Sequence, residues 1–178
     1  MSPNRFVLQF ALSDLAGLAT RYGYRQDEGA FAAGRNIVNG NYGRENLKVI
    51  VRWKSARKIG FIDDNTDAEI AHALRFASAP GISENSAVEI LDKLHGVGVP
   101  MASAILTTIR PDKYTIIDFR ALEALGITRW PSGSVRFYLD YLRECRELAR
   151  KLNVDLRTLD RALWQWSKEH GKSRSACA

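Results

Sequence analysis

The chain contains little cysteine, and the cysteines it has cannot build a metal site. Its 178 residues include two, Cys145 and Cys177, which form no C-x-x-C pair and sit in no cluster of other candidate ligands. Zinc sites and iron–sulfur clusters need several closely spaced thiolate or imidazole ligands. The sequence therefore predicts neither a zinc site nor an iron–sulfur cluster. Two unpaired cysteines suit a reducing compartment.

Long apolar runs are also absent from the sequence. No segment approaches the roughly 20 apolar residues of a membrane-spanning helix, and the first residues show neither the apolar stretch nor the cleavage site of a signal peptide. These absences predict a soluble cytoplasmic protein with no membrane partner. Lysine and arginine number 26 against 20 acidic residues, and the resulting net charge of +6 favours an anionic partner.

Alternating apolar and polar residues, which indicate half-buried strands, do not occur in a convincing run. Apolar residues recur mostly at three- and four-residue spacing, which predicts an all-α fold of about eight or nine helices. The predicted helices cover about 6–23, 31–38, 47–59, 66–78, 86 to the turn at 94, 99–109, 118 onward, 134–152 and 155–170.

Two stretches match the N-terminal capping box, in which a serine or threonine caps the helix and a glutamate three residues later reaches back. They are Thr66-Asp67-Ala68-Glu69 and Ser86-Ala87-Val88-Glu89. Each predicts the start of a helix. The second of these helices leads directly into the glycine-containing turn that follows.

That turn lies at Leu94-His95-Gly96-Val97-Gly98-Val99-Pro100 and predicts a helix-hairpin-helix. Glycine permits positive φ angles and the close approach of another backbone or a phosphate. The next helix begins at Val99, with proline tolerated in its first turn, and its first N–H groups favour an anion. A tight turn between two helices that binds no ligand is the alternative. The candidate DNA contacts of this hairpin are His95, Gly96, Val97, Gly98 and Val99.

From Leu91 to Leu125 the chain resembles the helix-hairpin-helix DNA glycosylase superfamily, which includes endonuclease III. The likeness rests on the hairpin, on the small residues of the helix after it, and on Asp118 behind the apolar segment Thr115-Ile116-Ile117. In that superfamily a catalytic aspartate opens the next helix. Here Asp118 lies 20 residues after Gly98 (118 minus 98), which is the family's spacing.

Three departures from the superfamily limit what the resemblance implies. Members that also cleave the DNA strand carry a Schiff-base lysine two positions after the second hairpin glycine, where this chain has Pro100. The iron–sulfur cysteines of endonuclease III are absent. The span from the helix at 47 to the hairpin is shorter than in endonuclease III, which predicts a trimmed or missing base pocket. The resemblance therefore implies an enzyme without lysine-dependent lyase activity.

We expect one compact all-α unit over 1–178 with two lobes. The middle lobe covers about 44–117 and carries the hairpin at 94–100, and the terminal lobe combines about 4–43 with 118–170. A cleft between the lobes is expected near Asp118, and 171–178 is expected to be a disordered tail. Double-stranded DNA is the expected partner. No cofactor is expected apart from a monovalent cation that the hairpin backbone could hold.

The function we expect is a monofunctional N-glycosylase that flips out a damaged or mismatched base and breaks its N-glycosidic bond. The sugar then develops oxocarbenium character, which a nearby carboxylate stabilises while it activates water. Asp118 would be that carboxylate, although aspartate is also a common helix N-cap. The alternative function is a non-catalytic DNA-binding protein that keeps the hairpin and has lost the excision site.

Further DNA contacts are expected from a basic stretch around one indole, Arg52-Trp53-Lys54. Trp53 could stack on a base or wedge into the duplex while the cations meet phosphates. A core tryptophan on an amphipathic helix with a basic face is the alternative. Lys54 is the lysine to consider as a replacement nucleophile if lyase activity exists. Arg120 could contact DNA or pair with Glu123 on its own helix.

Overall fold

A computed structural model describes residues 6–24 and 26–171, and within these ranges it contains ten α-helices and no strand. The all-α prediction is therefore confirmed. Short turns of 3-10 helix at Leu12–Asp14 and Ala56–Lys58 precede the first and fourth helices. The helices are α1 (Leu15–Thr20), α2 (Glu28–Val38), α3 (Arg44–Ser55), α4 (Ile59–Ile62), α5 (Asp67–Ser78), α6 (Glu84–Asp92), α7 (Val99–Ile109), α8 (Phe119–Glu123), α9 (Val135–Leu152) and α10 (Leu156–His170).

The predicted first helix is wrong over its N-terminal half. The backbone N–H groups of Val7 and Gln9 donate hydrogen bonds of 2.9 Å to the carbonyls of Leu125 and Ala124, and helix α1 begins only at Leu15. Apolar residues at 6 and 10 imitate the spacing of a helix. They instead pack against separate helices, with the Phe6 ring 5.9 Å from that of Phe137 on α9 and the Phe10 ring 6.2 Å from that of Trp166 on α10.

The two predicted capping boxes have different outcomes. Thr66 caps α5, and its backbone N–H donates to Glu69 Oε2 at 2.7 Å, so this box is confirmed. The box at Ser86 is wrong, because α6 begins one residue after Ser83. The hydroxyl oxygen of Ser83 accepts a 3.1 Å hydrogen bond from the Ser86 backbone N–H, so Ser86 already lies inside the helix.

Helix α7 lies at the centre of the fold, with ten of its eleven residues buried. Helix α2 packs against α3 and α7, and α1 packs against α10. At Gly34 on α2 a Cβ atom would overlap the Thr108 carbonyl oxygen on α7, so only glycine permits this close approach. Helix α2 thus contacts the predicted middle lobe although the sequence assigns it to the terminal lobe. The division into lobes stays a prediction.

Further sequence predictions concern membrane spans, metal ligands, cysteine and the C-terminal tail. No helix in the described part of the chain is long and apolar enough to span a membrane. Among those same residues, no group of three or more histidine, cysteine or acidic side chains is arranged to hold a metal ion. Cys145 is buried on α9, and burial raises the pKa of its thiol far above the usual range. Residues 172–178, where most of the predicted disordered tail falls, lie outside the described residues.

Candidate active site

Asp118 is delivered to the start of α8 by a buried extended segment. The Tyr141 hydroxyl, on α9, donates to the Ile116 carbonyl at 2.8 Å. The next backbone N–H, that of Ile117, donates to Ser103 Oγ on α7 at 3.1 Å. These hydrogen bonds satisfy polar backbone groups that would otherwise be buried without partners. They fix the position of Asp118 relative to the helix that follows the hairpin.

The Asp118 carboxylate is both an N-cap and one half of an ion pair. Its Oδ1 accepts hydrogen bonds of 3.0 Å from the backbone N–H groups of Arg120 and Ala121. Its Oδ2 accepts a 2.9 Å bond from Lys54 Nζ on α3. Burial acts to raise the pKa of Asp118, but Lys54 and the two backbone N–H groups outweigh it and lower the pKa below its usual range. The carboxylate is therefore ionised at neutral pH.

Asp118 and Lys54 line a cavity of about 370 Å³, a volume within the range of small-molecule sites. Aromatic side chains supply much of the rest of its wall. The Trp164 ring lies 5.3 Å from the ring of Tyr22 and 5.2 Å from that of Tyr24. We call this space the aromatic cavity. The aromatic side chains that line it are Tyr22, Tyr24, Trp53, Phe119 and Trp164.

A second charged group, centred on Arg157 of α10, borders the same cavity. Arg157 donates to Asp27 Oδ2 at 2.6 Å and also pairs with Asp160. We call these three residues the Arg157 cluster. Burial raises the pKa of Asp160 to about 6, and the charge of Arg157 opposes that rise only in part. The cavity wall thus holds two carboxyl groups whose pKa values are shifted in opposite directions.

The hairpin between α6 and α7 forms as the sequence predicts, but its two glycines differ. Gly96 has a φ of +82°, and a Cβ there would lie 2.7 Å from Phe61 Cβ, so this position requires glycine. Gly98 has a φ of −95°, which other residues adopt, so the expected positive φ is wrong at this position. Gly98 is exposed and precedes α7, whose first turn is capped by no side chain of the described residues.

Asn65, which the sequence analysis missed, holds the hairpin in place. Its Oδ1 accepts from the His95 backbone N–H at 2.8 Å, and its Nδ2 donates to the His95 carbonyl at 3.1 Å. Arg44 on α3 in turn donates to the Asn65 carbonyl at 2.7 Å. In the sequence Asn65 looks like an ordinary loop residue before the Thr66 cap, so no local signal could have revealed this role.

The hairpin lines a second cavity, of about 340 Å³, which adjoins the aromatic cavity. We call it the hairpin cavity. Gly96, Gly98 and the first turn of α7 form one part of its lining, and Lys58 lies on another part. The two cavities share the lining residues Lys54, Ser55 and Arg57. Asp118 and the hairpin therefore line two cavities that meet at these shared residues.

The other residues predicted to contact DNA differ in whether they line these cavities. Trp53 is 6% exposed and packs edge-on against Tyr24 and Phe31, which favours core packing over a wedge into DNA. Arg52 is exposed and lines neither cavity. Arg120 lines the aromatic cavity, with its guanidinium 5.1 Å from the Trp164 ring centre.

In the hairpin itself, the side chains of Val97 and Val99 are buried, so only their backbone groups are candidates for contact with a ligand. The His95 side chain is exposed, while its backbone N–H and carbonyl are bonded to Asn65. The structure thus gathers Asp118, Lys54 and Arg120 around one cavity and the hairpin backbone around the next. The roles of these residues in DNA binding stay predictions.

No family model matches the chain, and no curated protein matches it. Among solved structures, the chain is similar to the crystal structure of Methanocaldococcus jannaschii 8-oxoguanine glycosylase/lyase in complex with 15mer DNA containing 8-oxoguanine. The two sequences are 18% identical, the match covers 91% of this chain and 89% of that chain, and the TM-score is 0.45.

Proposed function

We propose that this protein is a DNA N-glycosylase that binds duplex DNA through the hairpin and excises a base flipped into the aromatic cavity. The observation that carries the proposal is the position of Asp118. Its ionised carboxylate opens on an aromatic cavity that adjoins the hairpin cavity. Every nucleobase has a flat π face, so aromatic walls suit an extruded base.

Asp118 would act on the sugar rather than on the base. When the N-glycosidic bond breaks, positive charge develops at C1′, and a fixed carboxylate lowers the energy of that state. The two backbone N–H groups on Oδ1 hold the carboxylate in place before the reaction begins. Because its pKa is lowered, Asp118 suits this electrostatic role and the orientation of an attacking water better than strong general-base catalysis.

The DNA backbone would be held beside this site by the hairpin cavity. The first N–H groups of α7 lack partners inside the helix, and the helix dipole favours an anion there. Arg57 and Lys58 line the same cavity and bring positive charge to it. Glycine at 98 leaves room for a phosphate to approach the backbone, since a Cβ would meet no atom closer than 3.9 Å there.

The sequence further predicts hydrolytic, monofunctional excision and a cytoplasmic location. It also predicts a monovalent cation at the hairpin backbone. The carbonyl oxygens of Leu94 and His95 already accept one hydrogen bond each, from Val97 N and Asn65 Nδ2. A carbonyl oxygen has a second lone pair, so both could still contact such an ion. No step proposed for excision passes through it.

The test compares wild type with Asp118→Asn on duplexes that carry alkylated, deaminated, oxidised or mismatched bases. We expect wild type to release a base from at least one of these classes. Asparagine keeps the N-cap but removes the charge, so excision should fall by about 100-fold or more while DNA binding is retained. Asp155→Asn is the matched control, because Asp155 also caps a helix and does not line either cavity.

The ion pair with Lys54 favours a second candidate, a DNA-binding protein without excision activity. In that case the Asp118 charge is already neutralised by Lys54 and serves the fold alone. If wild type binds duplex DNA yet produces no abasic site on any of the four lesion classes, the enzyme proposal fails and this candidate replaces it.

A further inference from the structure

A further cavity, of about 470 Å³, lies at the connection between α8 and α9. We call it the α8–α9 cavity. It shares the lining residues Asp118 and Phe119 with the aromatic cavity, and it shares Pro100 and Ser132 with the hairpin cavity. It is larger than the aromatic cavity, which the proposed function fills with one base. The α8–α9 cavity therefore has room for a second base beside Asp118.

Two aromatic side chains, Phe119 and Trp130, line the α8–α9 cavity, and each ring also contacts another side chain. The Trp130 ring stacks on that of Phe137, a buried residue of α9, with 5.8 Å between the ring centres and 29° between the planes. Phe119 is 44% exposed, and its ring centre lies 5.0 Å from the Arg120 guanidinium. Nucleobases of any identity stack on such rings, because every base has a π face.

The charges of the α8–α9 cavity suit a nucleotide better than an apolar molecule. Among the described residues that line it, Arg129 is the one cation and Asp118 is the one carboxylate. Arg129 is exposed, so it can attract a backbone phosphate at this edge of the cavity. Asp118 repels a phosphate. An incoming nucleotide would therefore have its phosphate near Arg129 and its base among the aromatic rings.

The connection that carries Arg129 and Trp130 is anchored to the start of α9. The Pro131 carbonyl accepts a 2.9 Å hydrogen bond from the Ser134 backbone N–H. Ser134 Oγ in turn accepts a 3.1 Å hydrogen bond from the Phe137 backbone N–H. Binding groups that are already ordered lose less conformational entropy when a ligand binds. The Trp130 ring is therefore held in place before any base reaches it.

We propose that the α8–α9 cavity binds the base next to the flipped nucleotide on the same strand, so that the protein takes up two consecutive unpaired nucleotides. This inference rests on the proposed function, which places the sugar of the flipped nucleotide at Asp118 and a backbone phosphate at the hairpin. Because the α8–α9 cavity adjoins both positions, the nucleotide that enters it is the one joined to that sugar through a phosphate. The preferred substrate is then a damaged or mismatched base whose neighbour is also unpaired.

The test measures the affinity of the full-length protein for two duplexes that contain a stable tetrahydrofuran analogue of an abasic site. The duplexes differ only in whether the base beside the analogue is paired or mismatched, and each side of the analogue is tested in turn. For one side, we expect wild type to bind the duplex with the mismatched neighbour at least about 10-fold more tightly. The reason is that a mismatched base costs less free energy to unpair and unstack.

Trp130→Leu removes the ring on which the second base stacks, so this variant should bind the two duplexes with affinities within about 2-fold of each other. The ratio compares two duplexes on one protein preparation, so a loss of folded protein does not change it. Trp166→Leu is the matched control. The Trp166 ring is also partly buried and stacks on another ring, that of His170, but it lines none of the three cavities. This variant should keep the wild-type ratio.

A second measurement locates the bound base on the wild-type protein and needs no variant. The base beside the analogue is replaced with 5-iodouracil, which on irradiation crosslinks to aromatic side chains that stack on it. Peptide mapping should find the adduct on Trp130 or Phe119. The same base placed on the opposite strand should give no adduct at these two residues. An adduct at these residues from the opposite strand alone would overturn the proposal.

The outcomes separate this inference from the proposed function. If Trp130→Leu keeps the wild-type ratio, or the crosslink maps to other residues, the α8–α9 cavity does not hold the neighbouring base. If wild type binds both duplexes equally but releases a base from a lesion duplex, this inference is wrong and the glycosylase proposal stands. If the ratio and the crosslink are as expected but no lesion duplex yields a released base, the glycosylase proposal is wrong and the site for an unpaired base stands.

Discussion

The Lys54–Asp118 pair and the Arg157 cluster border the same cavity, yet they are held in different ways. Lys54 and Asp118 are 16% and 20% exposed. Arg157, Asp27 and Asp160 are 11%, 12% and 7% exposed, and the Arg157 guanidinium also lies 5.2 Å from the Tyr22 ring centre. A charged side chain at the cavity surface can replace its ion-pair partner with a ligand. In an enclosed cluster the same replacement would leave a buried charge without a counter-charge. The Lys54–Asp118 pair is therefore suited to contact with a reacting ligand, and the Arg157 cluster stabilises the shape of the cavity.

The largest expected effect is on folding, from Arg157→Met. Removing this guanidinium leaves the nearly buried Asp160 carboxylate without its arginine partner and Asp27 with only the more exposed Arg161, and breaking a buried pair in this way costs about 3–5 kcal/mol. Denaturant unfolding should show that loss in the free energy of unfolding. Arg35→Met, which removes the exposed ion pair with Glu28, should change it by less than about 0.5 kcal/mol. Equal effects of the two substitutions would contradict the comparison.

A smaller effect should appear as a pH dependence of stability carried by Asp160. Its pKa is about 6 in the folded protein and about 3.9 when unfolded, so between these values the folded state binds more protons. Stability from this group is therefore present below pH 4 and is lost as the pH rises through 6, by about 1–3 kcal/mol.

The measurement is the difference in unfolding free energy between wild type and Asp160→Asn from pH 4 to 7. The unfolding free energy of wild type, relative to that of Asp160→Asn, should decrease as the pH rises. Asp118, whose folded pKa is lowered, loses its stabilising contribution only as the pH falls below about 4, so it does not interfere in this window. A flat difference would show that the Arg157 cluster keeps Asp160 ionised throughout.

The smallest effect is expected from Lys54→Met on stability. Asp118 is partly exposed and keeps both backbone N–H donors after the ammonium is removed. The free energy of unfolding should therefore fall by no more than about 1 kcal/mol. A loss as large as that of Arg157→Met would mean that the Lys54–Asp118 pair is also part of the structural framework, which would favour the candidate function without excision activity.

Features with a local cause were predictable from the sequence. Helix α7 begins and ends where the turn residues and the apolar spacing place it, and Asp118 caps the next helix because its side chain meets the N–H groups two and three residues later. The errors at 6–11 and at Ser86 also have local causes, since chance apolar spacing and a second serine imitate helix signals.

The composition of the aromatic cavity was not predictable in this way. Tyr22, Arg157 and Trp164 come from opposite ends of the chain, and Lys54 and Asp118 are 64 residues apart. Only tertiary packing brings them together, and no spacing rule applies over such separations. The role of Asn65 in bonding both backbone groups of His95 depends in the same way on where the hairpin lies in space.

The position of α3 has one further consequence for substrate choice. Its first turn reaches the hairpin through the contact of Arg44 with Asn65, and its last turn carries Lys54 ten positions later (54 minus 44). At 1.5 Å per residue this is a stiff rod of about 15 Å, which connects the support of the hairpin to the wall that the two cavities share. Under the proposed function, the phosphate bound at the hairpin and the sugar beside Asp118 would keep a constant separation. The protein would then act on a nucleotide at one fixed distance from the bound phosphate, whichever base that nucleotide carries.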